Sequence, residues 1–373
     1  MVTRRSLLKQ GAYAALALRA APSLVRVASA QTAPAGFDYY ISPTGSDANP
    51  GTQSQPWAIT AINTHRAEYA GKRVGLLDGT YNVHALCQAE GVTWSKPALA
   101  VNGGPSADSP TVIAAVNPRK VILTGADPTT GAYPTNGCGL IGQGYMQTQN
   151  RGNVTIDGLY ITRSWMYGIM FYAPVGQQME GGTSGFTVRN CEIYDIGGII
   201  NANVGGVMLY FCTGALISNN KIYSVQPPNI LNGNLGNAAG IFSFNCHSNI
   251  YEYNTIYDCN VSIHDKNNYN GNHTYRFNYM ECAGLDPVMP LFDCSGGNAG
   301  DTVTVHNNVM VGPGLWDGSN IVNNPSLQSL VFYNNTCVFG QADGKTDGGL
   351  YYGAGGSTVS PAATVMFYNN IIQ

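Results

Sequence analysis

The sequence predicts an all-β chain wound as a parallel β-helix, and three observations predict it. The first is composition. Of 373 residues, 46 are glycine and 19 proline, and only 10% are charged. A helical bundle or coiled coil would need far more Ala, Glu, Lys and Leu. The 23 tyrosines and the strings of Val and Ile argue equally against disorder. The second is a repeat. From about residue 150 a short apolar strand, an asparagine and another short strand recur, marked by Asn190, Asn220, Asn254, Asn278, Asn308, Asn335 and Asn370. The steps are 30, 34, 24, 30, 27 and 35 residues, and Gly158 holds the equivalent place one step earlier. The third is strand length: several very short strands per period make a solenoid. The Leu spacing of a leucine-rich repeat is absent, and a propeller blade would be longer. Stacked coils remain. An Asn at each inward corner can bond to backbone in neighbouring coils, satisfying polar groups that a bend would orphan. Irregular steps are then insertions at one or two corners.

The elements follow in chain order. Residues 1–30 contain Arg4, Arg5, Lys9, Arg19 and Arg26 and no acidic side chain. Thr3-Arg4-Arg5-Ser6-Leu7-Leu8-Lys9, a modest apolar stretch and Ala28-Ser29-Ala30 read as a twin-arginine export segment with its cleavage site. The mature chain is expected to begin near Gln31 and to be periplasmic or secreted, and no other run is long and apolar enough to span a membrane. Losing five basic residues and no acidic one takes the formal net charge from −3 to −8. A nucleic-acid partner would want a basic surface, so that class falls away. An acidic polymer remains possible through a local cationic patch or a bound divalent metal. The nine cysteines show no metal-type or CxxC spacing, and most lie in strand text, where a small buried hydrophobe is the expected role.

Tyr39-Tyr40-Ile41-Ser42-Pro43-Thr44-Gly45-Ser46-Asp47, continuing to Thr52 and Pro56-Trp57, resembles the opening of secreted right-handed parallel β-helix proteins, many of them polysaccharide lyases. The resemblance implies a right-handed coil and a short helical cap at its N-terminal end, for which residues 58–69 can serve. Leu77-Asp78-Gly79-Thr80-Tyr81 resembles the first coil of that group. Residues 31–373 are expected to form one domain, with the cap and first coils over 37–150 and regular coils over 151–373, and to be a monomer.

The strand before each Asn strand can be stacked from coil to coil: Gly168 to Pro174, Gly206 to Cys212, Gly240 to Cys246, Asn260 to Lys266, Val288 to Cys294. One parity is core-like, with rows Ile169/Val207/Ile241/Val261 and Phe171/Leu209/Ser243/Ile263. Period-two alternation turns the other outward, with rows Met170/Met208/Phe242/Ser262, Tyr172/Tyr210/Phe244/His264/Phe292 and Cys212/Cys246/Lys266/Cys294. An outward row of aromatic rings suits the apolar faces of sugar rings along a polymer. Tyr172, Tyr210, Phe244, Phe292 and His306 are therefore candidate substrate contacts. Whether this face is an open groove or is covered by a corner loop is not decided by the sequence.

His264 and Lys266 break that apolar face. For β-elimination on a uronate polymer, a base must take the proton beside the carboxylate, and the charge that develops must be held by a cation or metal. Lys266 is a candidate base, with Arg276 and His264 to neutralise the carboxylate or protonate the leaving oxygen. In the alternative for each, Lys266 is solvated, Arg276 pairs with Glu252, and His264 stacks in the ladder. Asn245, Asp265 and Asp293, with Glu252 nearby, form a second candidate set: a Ca²⁺ site of oxygen ligands or a hydrogen-bonded corner ladder.

The run Lys266-Asn267-Asn268 to Thr274-Tyr275-Arg276-Phe277-Asn278 is similar to the catalytic coil of chondroitinase B and related alginate lyases, which implies that Lys266 is the base. The arginine that those enzymes supply from the next coil is absent, because the stretch reads Met289-Pro290-Leu291-Phe292-Asp293-Cys294. The expectation is a secreted lyase acting on an acidic polysaccharide. Its alternatives are a hydrolase, with Asp265 and Asp293 or Asp286 as its carboxylates, an epimerase, and a carbohydrate-binding β-helix without catalysis.

Overall fold

Each coil lays down three strands, and in the computed structural model equivalent strands of successive coils pair in parallel to build three sheets of seven, eleven and ten strands. The structure describes residues 36–89, 96–135, 139–144, 152–173, 184–197, 203–225, 238–266, 271–282, 292–294, 302–312, 329–339 and 364–372. The proposed export segment lies outside them. One coil runs Tyr167–Tyr172 in the seven-strand sheet, Phe186–Arg189 in the eleven-strand sheet and Glu192–Ile196 in the ten-strand sheet. The next coil repeats this with Val204–Tyr210, Leu216–Ser218 and Lys221–Val225. No helix among the described residues is long and apolar enough to cross a membrane.

The helix expected over 58–69 shrinks to one turn, Ala61–Thr64. That turn meets the first strand of the seven-strand sheet, Leu99–Ala100. Asn63 donates Nδ2–H to the Ala98 carbonyl (2.8 Å) and accepts the Ala100 N–H (2.9 Å), so an amide side chain takes the place of a neighbouring strand. The opening motif packs around Trp57, whose indole stacks between Tyr39 (4.4 Å) and His65 (4.6 Å) and donates to the Asn49 carbonyl.

The corner between the eleven- and ten-strand sheets holds the repeat's asparagines, and Asn220, Asn254, Asn278, Asn308 and Asn335 are buried there. Asn220 donates both its backbone N–H and Nδ2–H to Asn254 Oδ1 (3.1 and 3.0 Å), and Asn254 does the same to Asn278 Oδ1. The chain of amides continues through Asn308 and Asn335 to Asn370. Each Nδ2 also reaches a strand carbonyl, as Asn278 does to Tyr251 O at 2.9 Å. At the first marked repeat the position is shifted by one: Cys191, not Asn190, donates to Asn220 Oδ1. Asn190 precedes it with φ +57°, and Gly158 sits equivalently one coil earlier with φ +75°.

The lumen is close-packed. Gly206 and Gly240, on the seven-strand sheet, face Ile222 and Ile256 across it, and a Cβ at either would lie 2.6 or 2.5 Å from an isoleucine methyl. A backbone carbonyl of the next coil closes the other side at 2.7 or 2.8 Å. Glycine is needed there for space. Cys87, Cys191, Cys212, Cys246, Cys259 and Cys337 are buried, and burial pushes the Cys191 thiol up to about 12.

The amide chain makes a direct prediction. Asn278→Ala orphans the buried Asn254 N–H and the Tyr251 carbonyl, and each such group costs roughly 1–3 kcal/mol. Urea unfolding should show a loss of about 3 kcal/mol. A loss indistinguishable from zero would mean that the ladder does not secure this corner.

Candidate functional site

The seven-strand sheet carries the expected break, but in a corrected register. Its outward rows are Met170/Met208/Phe242/His264/Asp293 and Tyr172/Tyr210/Phe244/Lys266. His264 therefore follows Phe242 rather than Phe244, and Lys266 takes the place after Phe244. Ser262 falls opposite the lumen-facing Gly240, whose built Cβ would meet the Ser262 carbonyl. Phe292 pairs in register with Ile263, the core parity, and Asp293 takes the place beside His264. A slip of one residue reverses the face, which removes Phe292 from the expected outward row. Cys212 and Cys246 also leave it, since both belong to the lumen core.

The outward aromatic row is not an open groove. Met170, Met208 and Phe242 have no exposed surface, and Tyr172 and Tyr210 keep 9% and 8% of theirs. Together with Met166, Tyr167, Ala239 and Val261 they form a second apolar cluster outside the lumen. Tyr172 stacks on Tyr210 at 5.0 Å, and the Tyr210 and Phe244 rings are tilted at 5.4 Å. His264, 6% exposed, lies parallel to Phe242 at 4.9 Å. The polar break thus stands at the end of a covered aromatic wall. The Lys266 backbone completes its strand, Val261–Lys266.

Asp265 points the other way, into the lumen, fully buried. Its carboxylate accepts hydrogen bonds from the Ser243 hydroxyl and from the Tyr275 hydroxyl (2.6 Å), and His273 Nε2 lies 3.2 Å away. His273 Nδ1 accepts the Asn249 N–H at 3.0 Å, so the ring's proton is on Nε2, facing the carboxylate. A buried carboxylate is tolerated when donors converge on it, and here two hydroxyls do, with the His273 ring nitrogen close beside them. Tyr251 stacks on Tyr275 at 4.8 Å, and burial together with the Asp265 charge pushes its hydroxyl well above the ordinary tyrosine range. This network escaped the sequence reading, although a serine at 243 in an otherwise apolar core row was its signal.

The other expected site residues separate. Arg276 lies on the eleven-strand sheet, not beside Lys266, and its Nε and Nη2 donate to Glu252 Oε2 at 2.7 and 2.6 Å. It is committed to an ion pair on another face, so the proposed Lys266–Arg276 pairing does not form. His306 follows Arg276 in the same row and stacks on Tyr333 at 4.7 Å. The residues of the calcium set do not share one register. Asp265 pairs with Ser243 and Cys294 rather than with Asn245 and Asp293, and Glu252 is on a different sheet. Buried and bonded to two hydroxyls, Asp265 faces away from the outward residues. No group of three His, Cys, Asp or Glu among the described residues could hold a metal ion. Asp286 lies outside the described residues.

No family model matches the chain, and no curated protein does. Among solved structures, pectate lyase Pel9A superposes with a TM-score of 0.59 at 14% identity, over 92% of this chain and 78% of that one. The fold is that of the parallel β-helix. A GH136 lacto-N-biosidase from Eubacterium ramulus matches with TM-score 0.45 at 15% identity over 90% and 67% of the two chains. A rhamnogalacturonan lyase matches with TM-score 0.41 at 16% identity over 90% and 87%.

The lumen network can be tested without a substrate. A hydrogen bond to a charged group is worth about 1.5–3 kcal/mol, so Tyr275→Phe should lower unfolding free energy by about that much. In an Asp265→Ala background the same change should cost far less, giving a coupling above about 1 kcal/mol in a double-mutant cycle. Additive effects would mean that hydroxyl and carboxylate do not act together.

Proposed function

We propose that the protein is an exported polysaccharide lyase that cleaves a uronate-containing chain by β-elimination at the Val261–Lys266 strand. One observation carries the reading. A sheet face that is apolar and aromatic through three coils turns polar at this strand, with His264 and Lys266 at successive outward positions and Asp293 next in register. The Pel9A fold likeness supports it, Pel9A being a pectate lyase, and the twin-arginine segment supports export.

In the proposed reaction, unprotonated Lys266 takes the proton on the carbon beside the uronate carboxyl group. The electron pair left behind forms the C=C bond as the neighbouring C–O glycosidic bond breaks. The departing oxygen takes a proton, for which His264 is the proposed donor. The apolar wall behind His264 lowers the local dielectric and strengthens charge interactions there. Arg276 and the calcium set have no part in this scheme. Nor does Asp265, which anchors the strand from behind; this takes away a carboxylate that hydrolysis would have used. A second reading, a protein that binds glycans without cleaving them, gains nothing from the covered aromatic wall, because few of its rings can reach a sugar.

Incubation with pectate, alginate and glycosaminoglycans separates these readings. A lyase generates the ultraviolet absorbance of an unsaturated uronate, and Lys266→Ala should cut that rate by about 10²–10⁴-fold with the thermal midpoint unchanged. Reducing ends without the absorbance would indicate hydrolysis, and neither product would leave binding alone. Full activity in Lys266→Ala would remove the assigned base.

A further inference from the structure

The corner that carries the amide ladder has a second column, one residue earlier in each coil. In eight successive coils that residue has a left-handed backbone: Gly158, Asn190, Asn219, Tyr253, Phe277, Asn307, Asn334 and Asn369, with φ between +55° and +75°. Six are Gly or Asn, the residues that take this conformation at little cost. Tyr253 and Phe277 are bulky side chains for which it is a genuine outlier. Such strain persists only where something compensates it, and it gathers at functional positions.

Phe211, also left-handed, shows what structural compensation looks like. Its ring packs against Tyr172 at 5.5 Å and Phe244 at 6.2 Å, on the covered cluster. Tyr253 has no such burial: 51% of it is exposed. Its ring lies parallel to Phe277 at 4.9 Å and 6°, and Phe277, half-buried, meets His306 edge-on at 5.7 Å, so the two strained residues form a stacked pair whose Tyr253 ring faces the surface.

The surroundings match one ligand chemistry. Along the same column Asn219 Nδ2 donates to Asn190 Oδ1 at 2.7 Å, so a half-exposed amide pair leads up to the rings. Beside the rings, on the outward face of the eleven-strand sheet, lie the Glu252–Arg276 ion pair and the stack of His306, Tyr333 and Tyr368. Amides and charged groups suit hydroxyls, and aromatic rings suit the apolar C–H faces of pyranoses. Stacked coils rise about 4.8 Å, close to the length of one pyranose along an extended chain. Glu252 cancels the Arg276 charge, so ring faces and hydroxyls dominate recognition over carboxylate charge.

We propose that this strip, centred on Tyr253 and Phe277 with the flanking amides, is a second glycan-binding surface that takes a pyranose polysaccharide chain on a different sheet from the proposed cleavage strand. It stands whether or not the Val261–Lys266 strand is catalytic, because its readout is retention and not turnover.

The test is the double substitution Tyr253→Asn and Phe277→Asn, which installs the residue that five of the other coils already use, so the fold should be undisturbed or firmer. Native gels containing polygalacturonate, alginate or xylan should retard the unsubstituted protein in at least one case, and equally at low and high salt. The double variant should lose about tenfold in apparent affinity, the fold-change of roughly one ring contact, with a thermal midpoint at or above the parent's. Equal retardation of both proteins would overturn the proposal. So would a lowered midpoint in the variant, since the rings would then serve the fold, or an absence of retardation of the parent in every gel.

Discussion

A stacked coil must satisfy the polar backbone groups that its corners turn away from the sheets, and the rest of this molecule depends on how one corner does so. The amides of Asn220, Asn254, Asn278, Asn308, Asn335 and Asn370 bond to one another from coil to coil and reach strand carbonyls as they go. A corner held this tightly cannot absorb insertions. Length variation is forced to the other two corners, which flank the seven-strand sheet. That is why the repeat steps vary while the strands beside this corner keep their register, the ten-strand sheet slipping only after Ile256, towards the far end of its strand.

The same rigidity fixes what can stand in the lumen. With glycines pressed against isoleucine methyls, the coil interior has no spare volume, and a polar side chain enters only if its neighbours complete its hydrogen bonds. Asp265 meets that condition through Ser243, Tyr275 and His273. Its strand is thereby held from the inside, and the alternation of the strand turns His264 to the outside, with Lys266 two positions on in register with Phe244. The inward Asp265 and the outward His264 are consequences of one strand geometry.

Much of this was legible in the sequence because the ladder is periodic and local. The Asn-x-x repeats located the invariant corner, and strand alternation located the outward face. Register on the seven-strand sheet was harder. Aligning its strands on Gly168, Gly206 and Gly240 put Asn260 at the glycine position, whereas Ser262 occupies it. The corner before that strand is a single residue, Asn260, between Cys259 and Val261, so no loop marked where the strand begins. A shift of two preserved the parity of His264 and Lys266. A further shift of one reversed Phe292. The assignment of Arg276 failed for another reason: two strands of one coil are close in sequence yet belong to different sheets, and a motif cannot say which face each presents.

The covered aromatic wall and the exposed aromatic pair invite opposite readings of the same residue type. Met170, Tyr172, Met208, Tyr210 and Phe242 are sealed into a cluster, and their contribution is the burial of apolar area, which needs no ligand. Tyr253 and Phe277 gain little of that burial and occupy a backbone conformation that their own column elsewhere gives to asparagine. Aromatic content alone therefore does not locate a carbohydrate surface on a β-helix. The deciding quantity is whether a ring's backbone cost is met by the fold, and at this corner it is met by the stack of exposed Tyr253 on half-buried Phe277 and by the edge contact of Phe277 with His306.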